Sequence, residues 1–340
     1  MKKICSFVLL FALVLPVLLS SCTRETEPRR QSFYDCFDTA ITVIDYSGEG
    51  EESFSAMCAD VRRQYEEYHK LYDIYNEYDG INNLATLNRL AGEWVELDSR
   101  AIDLLLYGKE AYALTGGAVN IAMGSVLSLW HECRSAAKEN PAAATLPSEA
   151  ALSTAAKHCD ITRLEIDKAN SRARLADEGM RVDVGAVAKG YATEKIAERL
   201  AAEGRGGVVI NAGGNVRIVG TKPSGDGFTV GIENPDLGEG GYAFVMTLSD
   251  TAVVTSGSYQ RYFTVDGKRY GHIIDGQTLM PAEKFASVSV TVADSALADV
   301  LSTALFVMDY EEGRALIESL DGADAYWVLP DGSKRTTAEQ

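Results

Sequence analysis

Positive charge is scarce in this 340-residue chain: 32 Lys and Arg stand against 49 Asp and Glu, a formal net charge of −17. So acidic a protein repels a phosphate backbone, which argues against a nucleic-acid partner. An anionic ligand would have to be held by a metal ion or by local basic groups. Histidine is also rare, at four residues. His69, His131 and His158 lie in helix-like polar surroundings and are expected at the surface. His272 sits beside a turn in GHIIDGQT (271–278), a setting that suits either hairpin packing or proton transfer. The six cysteines include no CxxC pair, which excludes the usual zinc and dithiol motifs. There is no internal repeat of short period, and no Walker or GxGxxG phosphate loop.

One long apolar run is present, at the start. Lys2 and Lys3 precede Ile4 to Leu19, and the run ends in LSSC at 19–22. This is the layout of a secretory signal over residues 1–21; the run is too short, and too broken by Pro16, for a spanning helix. The LSSC ending resembles the lipobox of bacterial lipoproteins. That resemblance implies cleavage before Cys22, acylation of Cys22 and a membrane-anchored protein on a periplasmic or other extracytoplasmic face. Polar residues 23–31 extend the lipidated N-terminus into a tether over 22–31, with a domain expected at 32–330 and a polar tail at 331–340. Loss of Lys2 and Lys3 with the leader makes the protein more acidic still. In an exported protein Cys36, Cys58, Cys133 and Cys159 could pair as disulfides, and the sequence leaves their state open.

The domain alternates between helical and extended patterns. Gln31 to Tyr46 reads as a strand through its β-branched centre, Glu52 to Tyr75 as a helix, and Asp79 to Asn88 as an Asn-rich loop. A second helix is expected from Ser99 to Leu114, capped by Asp98 or Ser99 and stopped at Gly116. Ser148 opens a short helix. From Arg163 hairpins dominate: Leu164 to Asp167 with Arg172 to Ala176, a further strand at Met180 to Val184, and an Asp266-Gly267 turn. Ala286 to Ala293 alternates as a strand, and a helix at Tyr310 to Leu320 and a strand at Ala325 to Leu329 close the chain. Grouped hairpins with interspersed helices predict an α+β fold, mainly antiparallel.

Several stretches carry candidate chemistry. In ADVLSTALFV (298–307), Leu297, Val300, Leu301, Ala304, Leu305 and Met308 form an apolar stripe, and Asp299, Ser302 and Thr303 fall on the other side of the helix. Those oxygens suit a hard cation such as Mg²⁺, though a solvated polar face has the same pattern. DVGAVAKGYATEKIAERL (183–200) passes from a strand end through small residues into a helix, whose first NH groups and Lys189 could hold an anion or could merely close a tight turn. INAGGNVRIVG (210–220) is a buried-looking run broken by Gly213-Gly214, marking a bulge or a close approach. TSGSYQRYF (255–263) reads as a polar loop ending near Arg261, a residue fit for an anion clamp or an ion pair.

Taken in order, these stretches resemble the ApbE family of FAD:protein FMN transferases. DVGAVAKG, NAGGN, TSGSYQRYF, HIIDGQT and LADVLSTA stand where the family has DxGGxAKG, NxGGN, TSGxYxRxF, HIxDPxTG and LADxLSTA, and the likeness spans roughly Phe33 to Tyr326. It implies a single α+β domain of ApbE type, with antiparallel sheets and packed helices reminiscent of the T-fold. It implies Mg²⁺ bound by Asp299, Thr303, Ser302 and the backbone carbonyl of Ala186, FAD contacts at Phe37, Tyr75, Ala118, Val119, Asn120, Asp183, Lys189 and Ile273, and His272 as the base. The implied reaction moves FMN from FAD to a Thr or Ser hydroxyl of an exported acceptor in a membrane redox complex. Attack by water, or flavin binding without catalysis, would use the same residues. The chain departs from the pattern at Phe37-Asp38-Thr39 (usually Met-Gly-Thr), at Asn120 (commonly Asp), and at Gly276 and Leu279 (usually Pro and Gly).

Overall fold

Antiparallel pairing organises the computed structural model, which describes residues 27–235, 241–259 and 261–338. The expected leader at 1–21, Cys22 and Gln260 lie outside the described residues. Where one strand is expected at the start, there are two, β1 (Arg29–Cys36) and β2 (Thr39–Asp45). Their turn, Phe37-Asp38, has φ of 53° and 49°. Two successive positive φ values give the turn whose twist matches that of the strands, usually written Asn-Gly. Phe-Asp hides it. Residues 29–31, expected in the tether, pair with Asp45, Ile44 and Val43.

The next elements are α1 (Glu51–Tyr72), α2 (Leu84–Arg89), β3 (Val95–Glu96), α3 (Ser99–Leu114), α4 (Gly124–Glu139) and α5 (Glu149–Ala155), then the hairpin β4 (Leu164–Asp167) and β5 (Arg172–Leu175). The Asn-rich loop is half helix, because Asn83 caps α2 with a reciprocal bond to Thr86. Asp98 and Ser148 cap α3 and α5 as expected. Met180 to Val184 is not a strand. Val182 instead finds both its backbone partners in one side chain: its N–H donates to Asn88 Oδ1 at 2.7 Å, and its carbonyl accepts from Asn88 Nδ2 at 2.9 Å.

The second half runs α6 (Ala188–Ala202), β6 (Val208–Ala212), β7 (Asn215–Val219), β8 (Phe228–Glu233), β9 (Tyr242–Leu248), β10 (Ala252–Gly257), β11 (Tyr262–Val265), β12 (Lys268–Gly271), β13 (Ser287–Val292), α7 (Ser295–Val307), α8 (Tyr310–Glu318), β14 (Asp324–Val328) and β15 (Lys334–Thr336). Gly213 and Gly214, both at positive φ, form the β6–β7 hairpin turn rather than a bulge. The first part of the expected TSG loop belongs to β10, held between β7 and β13. The expected C-terminal tail contains β15, paired to β14.

Among the described residues eight strands make one sheet, in the order β1-β2-β6-β7-β10-β13-β14-β15. Alternation decides what each face meets. Val208, Ile210 and Ala212 pack with Ala192, Ile196 and Leu301 of α6 and α7 in the main core. Val209 and Ile218 face the other way, onto Phe228, and Val253 and Tyr326 meet Ile232, so the β8–β9 hairpin covers that face. A smaller core joins Met123, Val126 and Trp130 of the α4 region to Phe263 and Ile274. The α+β fold, mainly antiparallel, is as expected. Among the described residues no helix is long and apolar enough to cross a membrane. Cys36, Cys58, Cys133 and Cys159 are free thiols. Burial pushes Cys36 and Cys58 up to about 11, keeping both protonated at neutral pH.

Candidate active-site cleft

The site grows from the crossing of α6 and α7. The apolar stripe on α7 is buried as expected apart from half-buried Leu297, but the polar side is not solvated: Asp299 is 5% exposed and Ser302 0%. Small residues make the close crossing possible. A Cβ on Gly190 would lie 2.4 Å from the Asp299 Cβ and 2.5 Å from the Ser295 carbonyl oxygen, so only glycine fits. The Gly190 N–H donates to Asp299 Oδ2 at 2.7 Å, and Lys189 Nζ lies 3.5 Å from Oδ1. The carboxylate thus sits at the positive end of α6, where the helix has no side-chain cap of its own.

Asp299 opens onto a cleft of about 830 Å³ whose lining includes Thr303, Ala186, Lys189, Asp183, His272 and Ile273. Tyr75 and the Ala118-Val119-Asn120 turn line it too. Two expected residues do not. Phe37 packs its ring inward against Tyr65 and His69, leaving Asp38 and Thr39 on the cleft wall. Ser302 lies behind the wall, with its hydroxyl 2.9 Å from Ser256 Oγ and donating to the Asp299 carbonyl at 3.1 Å. The remaining expected residues on the wall, Asp299, Thr303 and Ala186, have only hard oxygens to offer, from a carboxylate, a hydroxyl and the backbone. That set fits a small hard cation that keeps water and ligand phosphate as its other partners.

His272 is half-buried at the end of β12. Its Nδ1 lies 3.2 Å from the Arg261 carbonyl. A carbonyl only accepts, so Nδ1 carries the proton and Nε2 keeps its lone pair. Burial, then the charges of Arg261 and Arg134, lower the imidazole to about 4, so it is neutral at physiological pH. Asp183 accepts from the Gly185 N–H at 2.9 Å, and burial raises its carboxyl above the ordinary aspartate value.

Helix α4 contributes two groups that were not expected. His131, predicted at the surface, stacks on Tyr75 with ring centroids 4.7 Å apart, and Arg134 Nη2 donates to His131 Nδ1 at 3.2 Å. Burial, reinforced by Arg134, holds His131 below its usual value. His69 and His158 are likewise half-buried: His69 accepts the Phe37 N–H at 3.4 Å, and His158 pairs with Asp177 at 2.9 Å. The spacing of Leu127, Trp130, His131 and Arg134 was the available signal, since it places all four along one side of a helix that lines the cleft. With Lys189 and Arg261, Arg134 gives the cleft three cations in an acidic protein. Asn120 is less free than its position suggests. Its Oδ1 accepts the Ala122 N–H and its Nδ2 donates to the Cys159 carbonyl, both at 2.9 Å.

Residues 37–327 match the ApbE family model. The FAD:protein FMN transferase of Treponema pallidum is 35% identical over 271 residues, which cover 75% of this chain and 73% of that protein. The crystal structure of the ApbE protein of Thermotoga maritima aligns with a TM-score of 0.79 at 27% identity, covering 91% of this chain and 96% of that one. The apo form of the Pseudomonas stutzeri flavinyl transferase ApbE aligns with a TM-score of 0.74 at 26% identity, covering 93% and 96%.

Proposed function

This chain belongs to the ApbE family, and on that footing we propose that it transfers FMN from FAD to a hydroxyl of an acceptor protein, with release of AMP. One observation carries the reading: a single cleft unites a neutral imidazole whose Nε2 has no partner among the described residues, the hard-oxygen residues Asp299, Thr303 and Ala186, and the cations Lys189, Arg134 and Arg261. The chemistry assigns each a part. A Thr or Ser hydroxyl is a poor nucleophile until its proton is taken, and His272 Nε2 takes it. The hydroxyl oxygen bonds to the phosphorus on the FMN side as that phosphorus loses its bridging oxygen to AMP. Arg134 and Arg261 hold the pyrophosphate charge and orient it for attack. Mg²⁺, held by Asp299, Thr303 and the Ala186 carbonyl, would neutralise charge on the pyrophosphate and on the departing AMP. Asp183 and Lys189 flank the flavin nucleotide at the small-residue turn, and Tyr75, Ala118, Val119, Asn120 and Ile273 border it.

The N-terminal leader and LSSC support a lipid anchor at Cys22, which would station the enzyme on an extracytoplasmic membrane face beside exported redox subunits as acceptors. The deciding experiment incubates the protein with FAD, Mg²⁺ and candidate exported acceptors, then weighs the acceptors and measures AMP. A gain of one FMN on a Thr or Ser, with equal AMP, supports transfer. AMP and free FMN without a modified protein would mean hydrolysis instead.

A further inference from the structure

Behind the cleft, α6 and α7 exchange carboxylates. Asp299 of α7 accepts the first-turn Gly190 N–H of α6 at 2.7 Å, and Glu194 of α6 accepts the first-turn Ser295 N–H of α7 at 2.6 Å. Gly190 and Glu194 are one turn apart, as are Ser295 and Asp299, so each helix caps the other across the close crossing. The α7 start is otherwise served by Asp294, which takes the Ala296 and Leu297 N–H groups and leaves Ser295 to Glu194. Glu194 is in turn fixed by Arg217 of β7, whose Nε and Nη2 lie 2.9 and 3.3 Å from its two oxygens. Both side chains are almost fully buried. Arg217 also reaches Asp250, and the Ser295 hydroxyl donates to Asn215.

We propose that Glu194, backed by Arg217, is the positioning residue for the metal-binding carboxylate, setting through α7 where Asp299 presents Oδ1. This rests on the reading of Asp299 as a Mg²⁺ ligand. With Oδ2 accepting from Gly190, Oδ1 beside Lys189 is the less engaged oxygen for the cation to take. The direction of that oxygen depends on the register of α7 against α6. Glu194 sets that register from α6, anchored to the sheet through Arg217 of β7, and does not itself line the cleft. Outer partners of metal ligands commonly change affinity about 10- to 100-fold when removed.

The test is Mg²⁺ binding without FAD, read as the rise in melting temperature with Mg²⁺ concentration, for the wild type, Glu194→Gln and Ile317→Ala. The last removes buried packing in α8 and serves as a destabilised control. The expected result is a Mg²⁺ midpoint about 10- to 100-fold higher in Glu194→Gln and unmoved in Ile317→Ala. In parallel, the Gly190 amide proton signal shifts in Glu194→Gln alone. A folded Glu194→Gln with the wild-type midpoint overturns the proposal, as does an equal shift in Ile317→Ala. If Glu194→Gln does not fold, Glu194→Gln/Arg217→Met removes both buried charges and carries the same comparison. A wild type that Mg²⁺ does not stabilise refutes the metal reading, and this proposal with it.

Discussion

His272 has one nitrogen occupied and one available, and its chemistry follows from that division. Because burial and two guanidinium groups lower the imidazole to about 4, the acid limb of the transfer rate should fall near pH 4, not near the free histidine value of about 6.5. His272→Ala should slow FMN transfer by about 10² to 10⁴ with FAD titration unchanged; wild-type AMP release from the FAD-loaded variant would remove His272 from the reaction. The same shift has a stability sign. The unfolded chain binds this proton more readily, so the contribution is complete above about 6.5 and is lost as pH falls toward 4. Asn120 illustrates a different constraint. Replacing it with Asp, the family's commoner residue, removes the donor to Cys159 and sets two acceptors against each other. Asn120→Asp should cost about 1–3 kcal/mol in urea unfolding. The position was legible in the sequence as a departure from a pattern. Why this chain keeps Asn was not, since the reason is a carbonyl 39 residues away.

Elements were legible where their signals are local. The caps Asp98 and Ser148, the Asp266-Gly267 hairpin and the α7 stripe all declare themselves within a few residues. The failures share a cause, which is that a distant group supplied what the local sequence lacked. Asn88 stands in for a strand partner at Val182, and flanking strands draw Thr255 to Gly257 out of the expected loop. Helix α4 is masked in the sequence because Leu127 and Trp130 belong to the small core and also line the cleft with His131 and Arg134, so its apolar and polar faces overlap. At the α6–α7 crossing, Gly190→Ala should cost about 1–3 kcal/mol and reduce Mg²⁺-dependent turnover, as checked by denaturation and AMP release. At the first hairpin the reverse change should help. Asp38 adopts φ 49°, so Asp38→Gly should raise stability by about 1 kcal/mol while retaining the backbone carbonyl that accepts from Arg261 at 2.9 Å. A lower urea midpoint would contradict that view of the turn.

At the scale of the molecule, the cleft lies where the large and small cores meet, lined by Thr39 and Ala40 of the main sheet and by Met123 and Trp130 of the smaller cluster. The antiparallel α+β character could be read from the grouping of hairpins. The covering hairpin β8–β9 could not, for it shares its pattern with any surface ribbon. The proposed anchor belongs to this scale as well: Cys22→Ser should abolish incorporation of labelled fatty acid, and equal labelling of both proteins would end the lipoprotein reading. The sheet order has a consequence for how copies of the protein behave toward one another. Its two outermost strands are the first and last of the described chain, and each carries adjacent cations, Arg29 and Arg30 on β1 and Lys334 and Arg335 on β15. An open edge is a template for pairing with another chain, and charge is one means of blunting it. Parallel in-register pairing of like edges opposes these cations to one another, in a molecule that is otherwise strongly acidic. At about 1 M salt, where screening shortens to about 3 Å, sedimentation should reveal self-association that is absent at low ionic strength.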